Sequence, residues 1–218
     1  MTITLQSIYV LVALIIALDV HEFSHALMAH QQGDDTPRYL GRLTLNPLAH
    51  LDPLGTLMMF LMVFRGFGFA WGKPVPVNPM YLRSGFRVGM GIVSLAGPLS
   101  NFVLAALFGL PVRLASFWAL PQPLILFFAI AAQINIWLGL FNLIPLAPLD
   151  GSKVLQGILG AVREPWAFEL GNVLMRLDAQ GPMILVMVIV VDSFLPISIL
   201  GSILRPPNHL LRWLFLGG

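Results

Sequence analysis

No cysteine occurs anywhere in the 218 residues, which excludes disulfides, thiolate metal ligands and a cysteine nucleophile and leaves the redox compartment open. Charge is nearly as scarce. Asp, Glu, Lys and Arg make up 10% of the chain, where a soluble domain carries about 25%. No polar stretch is long enough to build a soluble domain, and no internal repeat is evident. The first Lys or Arg is Arg38, so the apolar start lacks the basic n-region of a signal peptide and is expected to be a retained span. What fills the space is apolar: 57% of residues are hydrophobic and the mean hydropathy is +0.85. This predicts an integral membrane protein folded as one membrane-embedded domain over 1–218. The net charge of +2 and pI near 9.4 reflect cations spread over loops that set topology, so no nucleic-acid partner is expected.

Apolar runs near twenty residues predict four spans, at about 5–29, 88–110, 123–144 and 181–204. Between the first two, Leu54 to Phe64 is apolar but too short to cross a bilayer alone. The flanking pieces GRLTLN (41–46) and KPVPVN (73–78) alternate or carry β-branched residues, which predicts a small β-sheet at the interface. Pro74 and Pro76 would confine the second strand to an edge. Two strands of one sheet lie on one side of the membrane, so Leu54–Phe64 is expected to be re-entrant or interfacial. Segments 30–87 and 145–180 then share a side and hold Arg38, Arg42, Arg65, Lys73, Arg83, Arg87, Lys153, Arg163 and Arg176. By the positive-inside rule that side is cytoplasmic. The expected fold class is an all-α polytopic membrane protein with four full spans, one re-entrant segment and that small sheet. The tail RPPNHLLRWLFLGG reads as an amphipathic helix at the opposite interface.

The end of the first span reads LDVHEFSHAL (18–27), and ionisable groups taken towards hydrocarbon are expensive unless they have a task. His21 and His25 stand at i and i+4, so on a helix their imidazoles share a face and can grip one ion. Glu22 lies beside that ion, placed to take a proton from a water held there. Zinc suits nitrogen and oxygen ligands in tetrahedral array and acidifies its water. Chance produces an H-E-x-x-H in a chain of this composition roughly 0.0015 times.

A catalytic zinc takes three protein ligands, and the candidates for the third are His30, His50, Asp52, Asp150, Glu164, Glu169, Asp178 and Asp192. The HEFSH turn lies near the cytoplasmic end of its span, and depth favours Asp150, in NLIPLAPLDGSKVL directly after the third span. Pro145 and Pro148 break that helix, and Gly151 leaves room for close approach. Asp192 falls deep in the last span on the wrong side and reads as a polar residue facing the bundle. Asp19 points away from both histidines on a regular helix and has no evident task.

Taken together, His21-Glu22-x-x-His25, the N142-L-I-P-L-A-P-L-D150-G151 stretch, GRLTLNPLAHLDPLGT (41–56), GKPVPVNP (72–79) and G97-P-L-S-N101 resemble the site-2 protease family of intramembrane zinc metalloproteases. The second element has one residue more after its proline than the family pattern. The match is to a compact type, since the chain has neither a PDZ-like insertion nor a CBS-like extension. The resemblance implies a catalytic core over about 5–160, followed by a C-terminal span and amphipathic tail over 164–218. It implies one Zn2+ ion on His21, His25 and Asp150, with Glu22 activating a water and Asn142 stabilising the oxyanion or holding the substrate strand. Asn101 is a weaker candidate for substrate contact, alongside a packing role between spans. Val75 and Val77, on the expected edge strand, would hold an unwound substrate. The implied partner is a membrane protein with a transmembrane helix, met within the lipid bilayer of a prokaryotic cell membrane, with the site towards the cytoplasm. Two other classes compete: an inactive adaptor or chaperone on the same scaffold, and a metal transporter or sensor. The intact His, Glu and Asp set speaks against the first, and clustering at one depth against the second.

Overall fold

A computed structural model describes residues 4–217 except 67, 69, 116, 118 and 119. Ten α-helices follow one another: α1 (Leu5–Gln31), α2 (Thr36–Tyr39), α3 (Pro47–His50), α4 (Pro53–Arg65), α5 (Phe86–Arg113), α6 (Gln122–Asn142), α7 (Asp150–Ala161), α8 (Pro165–Leu177), α9 (Gly181–Phe194) and α10 (Ile199–Leu216). Helices α1, α5 and α6 are each long and apolar enough to cross a membrane, as is the continuous helical run Pro165–Phe194. At 1.5 Å per residue α1 is roughly 40 Å long and α6 roughly 32 Å, against a hydrocarbon core of about 30 Å.

α5 occupies the centre and packs against α1, α6, α7 and α10. Apolar burial drives little association between helices already in lipid, so close backbone approach has to supply it. Gly91 of α5 and Gly157 of α7 meet face to face, and a Cβ on either would lie 2.8 Å from the other's Cα. α7 therefore lies on α5, and its first residue, Asp150, is carried over the middle of the bundle. Residues 143–149, with Pro145 and Pro148, form no helix between α6 and α7, because a helix-interior proline loses a hydrogen bond and clashes with the preceding turn.

Among the described residues there is no β-sheet; the expected one at 41–46 and 73–78 is absent. Among the described residues the only strand-like pairing is an isolated antiparallel bridge between Leu51 and Gly72. Two prolines in KPVPVN remove two backbone donors, and the carbonyls of Lys73 and Pro74 are taken by the Arg42 side chain rather than by a strand. Residues 41–46 form turns and bends that lead into α3. Val75 and Val77 thus lie in a segment without regular structure.

The bridge shows how α4 is placed. Asp52 caps its start by accepting from the Gly55 N–H at 2.8 Å, and Gly66 ends it in the left-handed conformation at φ 73°. The chain then returns along it, since a Cβ on Gly68 would meet the Met58 carbonyl at 3.1 Å and one on Gly55 the Trp71 carbonyl at 2.2 Å. Thirteen residues rise roughly 20 Å, and both ends of the segment meet at Leu51 and Gly72, so the chain goes out along α4 and comes back to where it began.

The last apolar stretch also differs in its bounds from 181–204. Helix α9 stops at Phe194, and Asp192 accepts from Ser198 Oγ at 2.6 Å and from the N–H groups of Ile199 and Leu200 at 2.6 and 3.0 Å. Asp192 thus holds the start of α10, whose N-cap is Ser198, and is not a group facing the bundle. α10 lies along α5 and α6, with Asn208 accepting from Gln133 at 2.8 Å.

Candidate metal centre

His21 and His25 project from one face of α1, and Asp150 meets them from the start of α7. His21 Nε2 lies 3.0 Å from Asp150 Oδ2, His25 Nε2 lies 3.3 Å from it, and the two Nε2 atoms are 3.0 Å apart. Among the described residues this is the only group of three or more His, Asp or Glu side chains that converge closely enough to hold one metal ion.

The other nitrogen of each imidazole fixes its tautomer. His21 Nδ1–H donates to Asn101 Oδ1 at 2.7 Å, and His25 Nδ1–H donates to the Val93 carbonyl at 2.8 Å. Asn101 is oriented in turn: its Nδ2 donates to the Ala17 carbonyl at 3.1 Å and to Asn135 Oδ1 at 2.9 Å, while Asn135 Nδ2 donates to the Ala131 carbonyl. Both asparagines are fully buried, so a hydrogen-bonded chain from α6 through α5 holds a ligand on α1. The neutral imidazoles then point two Nε2 lone pairs at each other and at a carboxylate oxygen. Asp150 Oδ2 is buried and has no hydrogen-bond donor. Three acceptors facing one another repel unless a cation lies between them. A tetrahedral site with bonds of about 2.0–2.1 Å has edges of about 3.4 Å, close to the triangle found here, so the donor set fits zinc.

Two neighbours shape this centre. A Cβ on Gly97 would lie 2.4 Å from His25 Nε2 and 2.6 Å from His21 Nε2, so only glycine lets α5 pass so close to the ligands. Gly72, on the return segment after α4, lies against Glu22, where a Cβ would be 3.0 Å from Oε1. Asp150 is the first residue of α7, where the helix dipole favours a negative charge.

The remaining candidates for the third ligand are engaged elsewhere. His30 pairs with Asp35 at 2.5 Å, Asp52 caps α4, Asp178 accepts from Ser152, Lys153 and Gln156, Glu164 precedes α8 and Glu169 is exposed on it. His50 is buried, donates to the Thr44 carbonyl at 2.8 Å and lies 3.8 Å from Asp19 Oδ1. Asp19, which had no task in the sequence, therefore faces His50 across to α3. Asn142 ends α6 and donates to the Leu138 carbonyl at 3.0 Å; it makes no hydrogen bond to His21, His25 or Asp150. Asn101 spends its amide on His21, Ala17 and Asn135. The sequence signal for that role was a polar side chain within a span, which is rarely without a partner.

Residues 109–185 match peptidase family M50. A relative from Bacillus subtilis, named "Putative zinc metalloprotease YwhC", is 40% identical over 161 residues, covering 69% of each chain. The chain belongs to peptidase family M50. Relatives named "Putative zinc metalloprotease Rip2" are 33% identical in Mycolicibacterium smegmatis and 32% in Mycobacterium tuberculosis, over 68% of this chain and 56% of theirs. No solved structure matches. The resemblance to site-2 proteases thus holds at the level of family. Kinship sets the M50 protein among zinc metalloproteases, with zinc as the cofactor, and four of its helical stretches are long and apolar enough to cross a membrane. The family match begins beyond the HEFSH helix, and the contact between His21, His25 and Asp150 joins that helix to the matched region.

Proposed function

We propose that the protein is an intramembrane zinc endopeptidase that cuts peptide bonds within or near transmembrane segments of other membrane proteins. The observation that carries this reading is the convergence of the two imidazoles and Asp150 Oδ2, with Glu22 next to His21 on the same helix. His21, His25 and Asp150 would hold the ion; zinc bound there supplies Lewis-acid polarisation of a peptide carbonyl and makes water more acidic. Glu22 acts as the general base that accepts the proton of the attacking water and then as the acid that protonates the leaving amine. Asn101 and the Val93 carbonyl keep both imidazoles in the tautomer that binds metal. Asn142, at the end of α6, is proposed to steady the developing oxyanion or the substrate backbone.

A helical substrate hides its carbonyls in its own hydrogen bonds and must unwind before attack. Val75 and Val77 offer backbone groups along an extended segment that begins at Gly72, beside Glu22, and substrate addition there supplies the hydrogen bonds lost on unwinding. The loops joining α1 to α5 and α6 to α8 carry most cations, which favours a site facing the cytoplasm.

The test is cleavage of a single-span substrate by purified protein in liposomes. Activity is expected to disappear on chelation and return with zinc, and Asp150→Ala is expected to lose zinc by elemental analysis. Cleavage that survives complete zinc removal would overturn the reading.

A further inference from the structure

The chemistry above leaves a second set of buried polar groups unused beside the Glu22 face of α1. Arg42 is 5% exposed although it lies in an irregular stretch between α2 and α3. Its guanidinium donates to the carbonyls of Ala49 and Lys73 and, at 3.0 Å, to that of Pro74. The Lys73 N–H donates to the His50 carbonyl at 2.7 Å, and the His50 ring is held by Thr44 and faces Asp19. Both backbone groups of Lys73 and the carbonyl of Pro74 are thus bound from one side. At the other end of the segment, the Asn78 N–H donates to Asp34 Oδ2 at 2.7 Å. Asp34 is fully buried, and its Oδ1 accepts from the N–H and hydroxyl of Thr36.

Between these anchors Val75 and Val77 are half-buried while Pro74 and Pro76 are exposed, the alternation of an extended chain. The prolines fix φ and bias the residues before them to extended backbone. The N–H and C=O groups of Val75 and Val77 have no hydrogen-bond partner among the described residues. Burying a guanidinium and a carboxylate is costly; Arg42 holds the Ala49 carbonyl as well and Asp34 holds Thr36, and each gives its remaining bonds to backbone at one end of this short segment.

We propose that Arg42 and Asp34 are positioning residues that clamp the two ends of Val75–Val77, presenting its free backbone groups to an unwound substrate at a fixed register relative to Glu22. This rests on the proteolytic reading above and adds to it how the scissile bond is chosen. Neither residue touches the reacting atoms; each acts through the backbone it holds. Arg42→Lys keeps the charge but loses the fork that reaches three carbonyls at once, and Asp34→Asn keeps the shape but weakens the acceptor for Asn78 N–H.

The experiment compares wild type, Glu22→Gln, Arg42→Lys and Asp34→Asn, all full length in liposomes with a single-span substrate of known sequence. Zinc content, KM, kcat and the cut positions by mass spectrometry are recorded. With zinc content as in wild type, each clamp variant is expected to raise KM roughly tenfold, to change kcat little and to spread cleavage from the main bond to its neighbours. Damage to the fold alone would reduce the active fraction and leave KM and cut position as they were. Wild-type KM and an unchanged cut pattern in both variants overturn the clamp while sparing the proteolytic reading. So does loss of zinc, or failure of both variants to accumulate, since these residues would then hold the fold. A wild-type protein that binds zinc and cuts nothing overturns the proteolytic reading and the clamp with it; a Glu22→Gln protein that cuts normally removes Glu22 as the base and with it the register the clamp is said to set.

Discussion

Replacing Asn101 by leucine, close to it in volume, separates two roles for this residue. The substitution removes the acceptor 2.7 Å from His21 Nδ1 and the donor to the Ala17 carbonyl and Asn135 Oδ1, all at a site with no solvent exposure. Each buried group left without a partner costs about 1–3 kcal/mol, so a lower melting temperature is expected. The effect on metal is separable from this loss, because it is measured on the folded fraction. Without Asn101 the His21 ring is free to rotate or change tautomer, and loss of such an orienting partner typically weakens metal binding about 10–100-fold, or roughly 1.4–2.7 kcal/mol. Competition with a zinc chelator gives the affinity, and cleavage at saturating zinc gives the activity. The expected result is weakened zinc binding, with most activity regained once zinc is in excess. Unchanged affinity with lost activity would refute the argument and give Asn101 a direct part in holding substrate.

Gly97→Ala is expected to abolish stoichiometric zinc, because its methyl would stand 2.4 Å from His25 Nε2; elemental analysis of the folded protein checks it. Asp178→Ala leaves Ser152, Lys153 and Gln156 without their shared acceptor. It should cost about 1–3 kcal/mol and loosen α7, seen as lower thermal stability together with faster zinc loss to a chelator. Asp192→Ala leaves the Ser198 hydroxyl and the N–H groups of Ile199 and Leu200 without their acceptor and should loosen the start of α10. Proteolysis at 195–198 should then quicken while zinc content stays as in wild type.

The spans at α1, α5 and α6 and the pair His21 and His25 were legible because both signals are local. Apolar runs of bilayer length and ligands one helical turn apart need no knowledge of the rest of the fold. Asp150 lay 125 positions from His25 and could be favoured only by depth and by resemblance. The β-sheet was misread because alternation in GRLTLN and KPVPVN is compatible with any extended chain. What decides pairing is where the backbone groups go, and Arg42 takes two of the carbonyls a strand would have used. The end of α9 was missed for a similar reason: Asp192 sits in an apolar run that looks continuous, yet its carboxylate holds the start of the next helix. Asp19 could not be explained locally, since its neighbour His50 lies in another element.

The central claim is that a zinc held by His21, His25 and Asp150 works with Glu22 as its base. Zinc content and cleavage measured side by side on Glu22→Gln test it most directly. The account predicts one zinc per chain, as in wild type, with turnover of the single-span substrate lowered about 10²–10⁴-fold. A Glu22→Gln protein that cuts at the wild-type rate with zinc in place would contradict it.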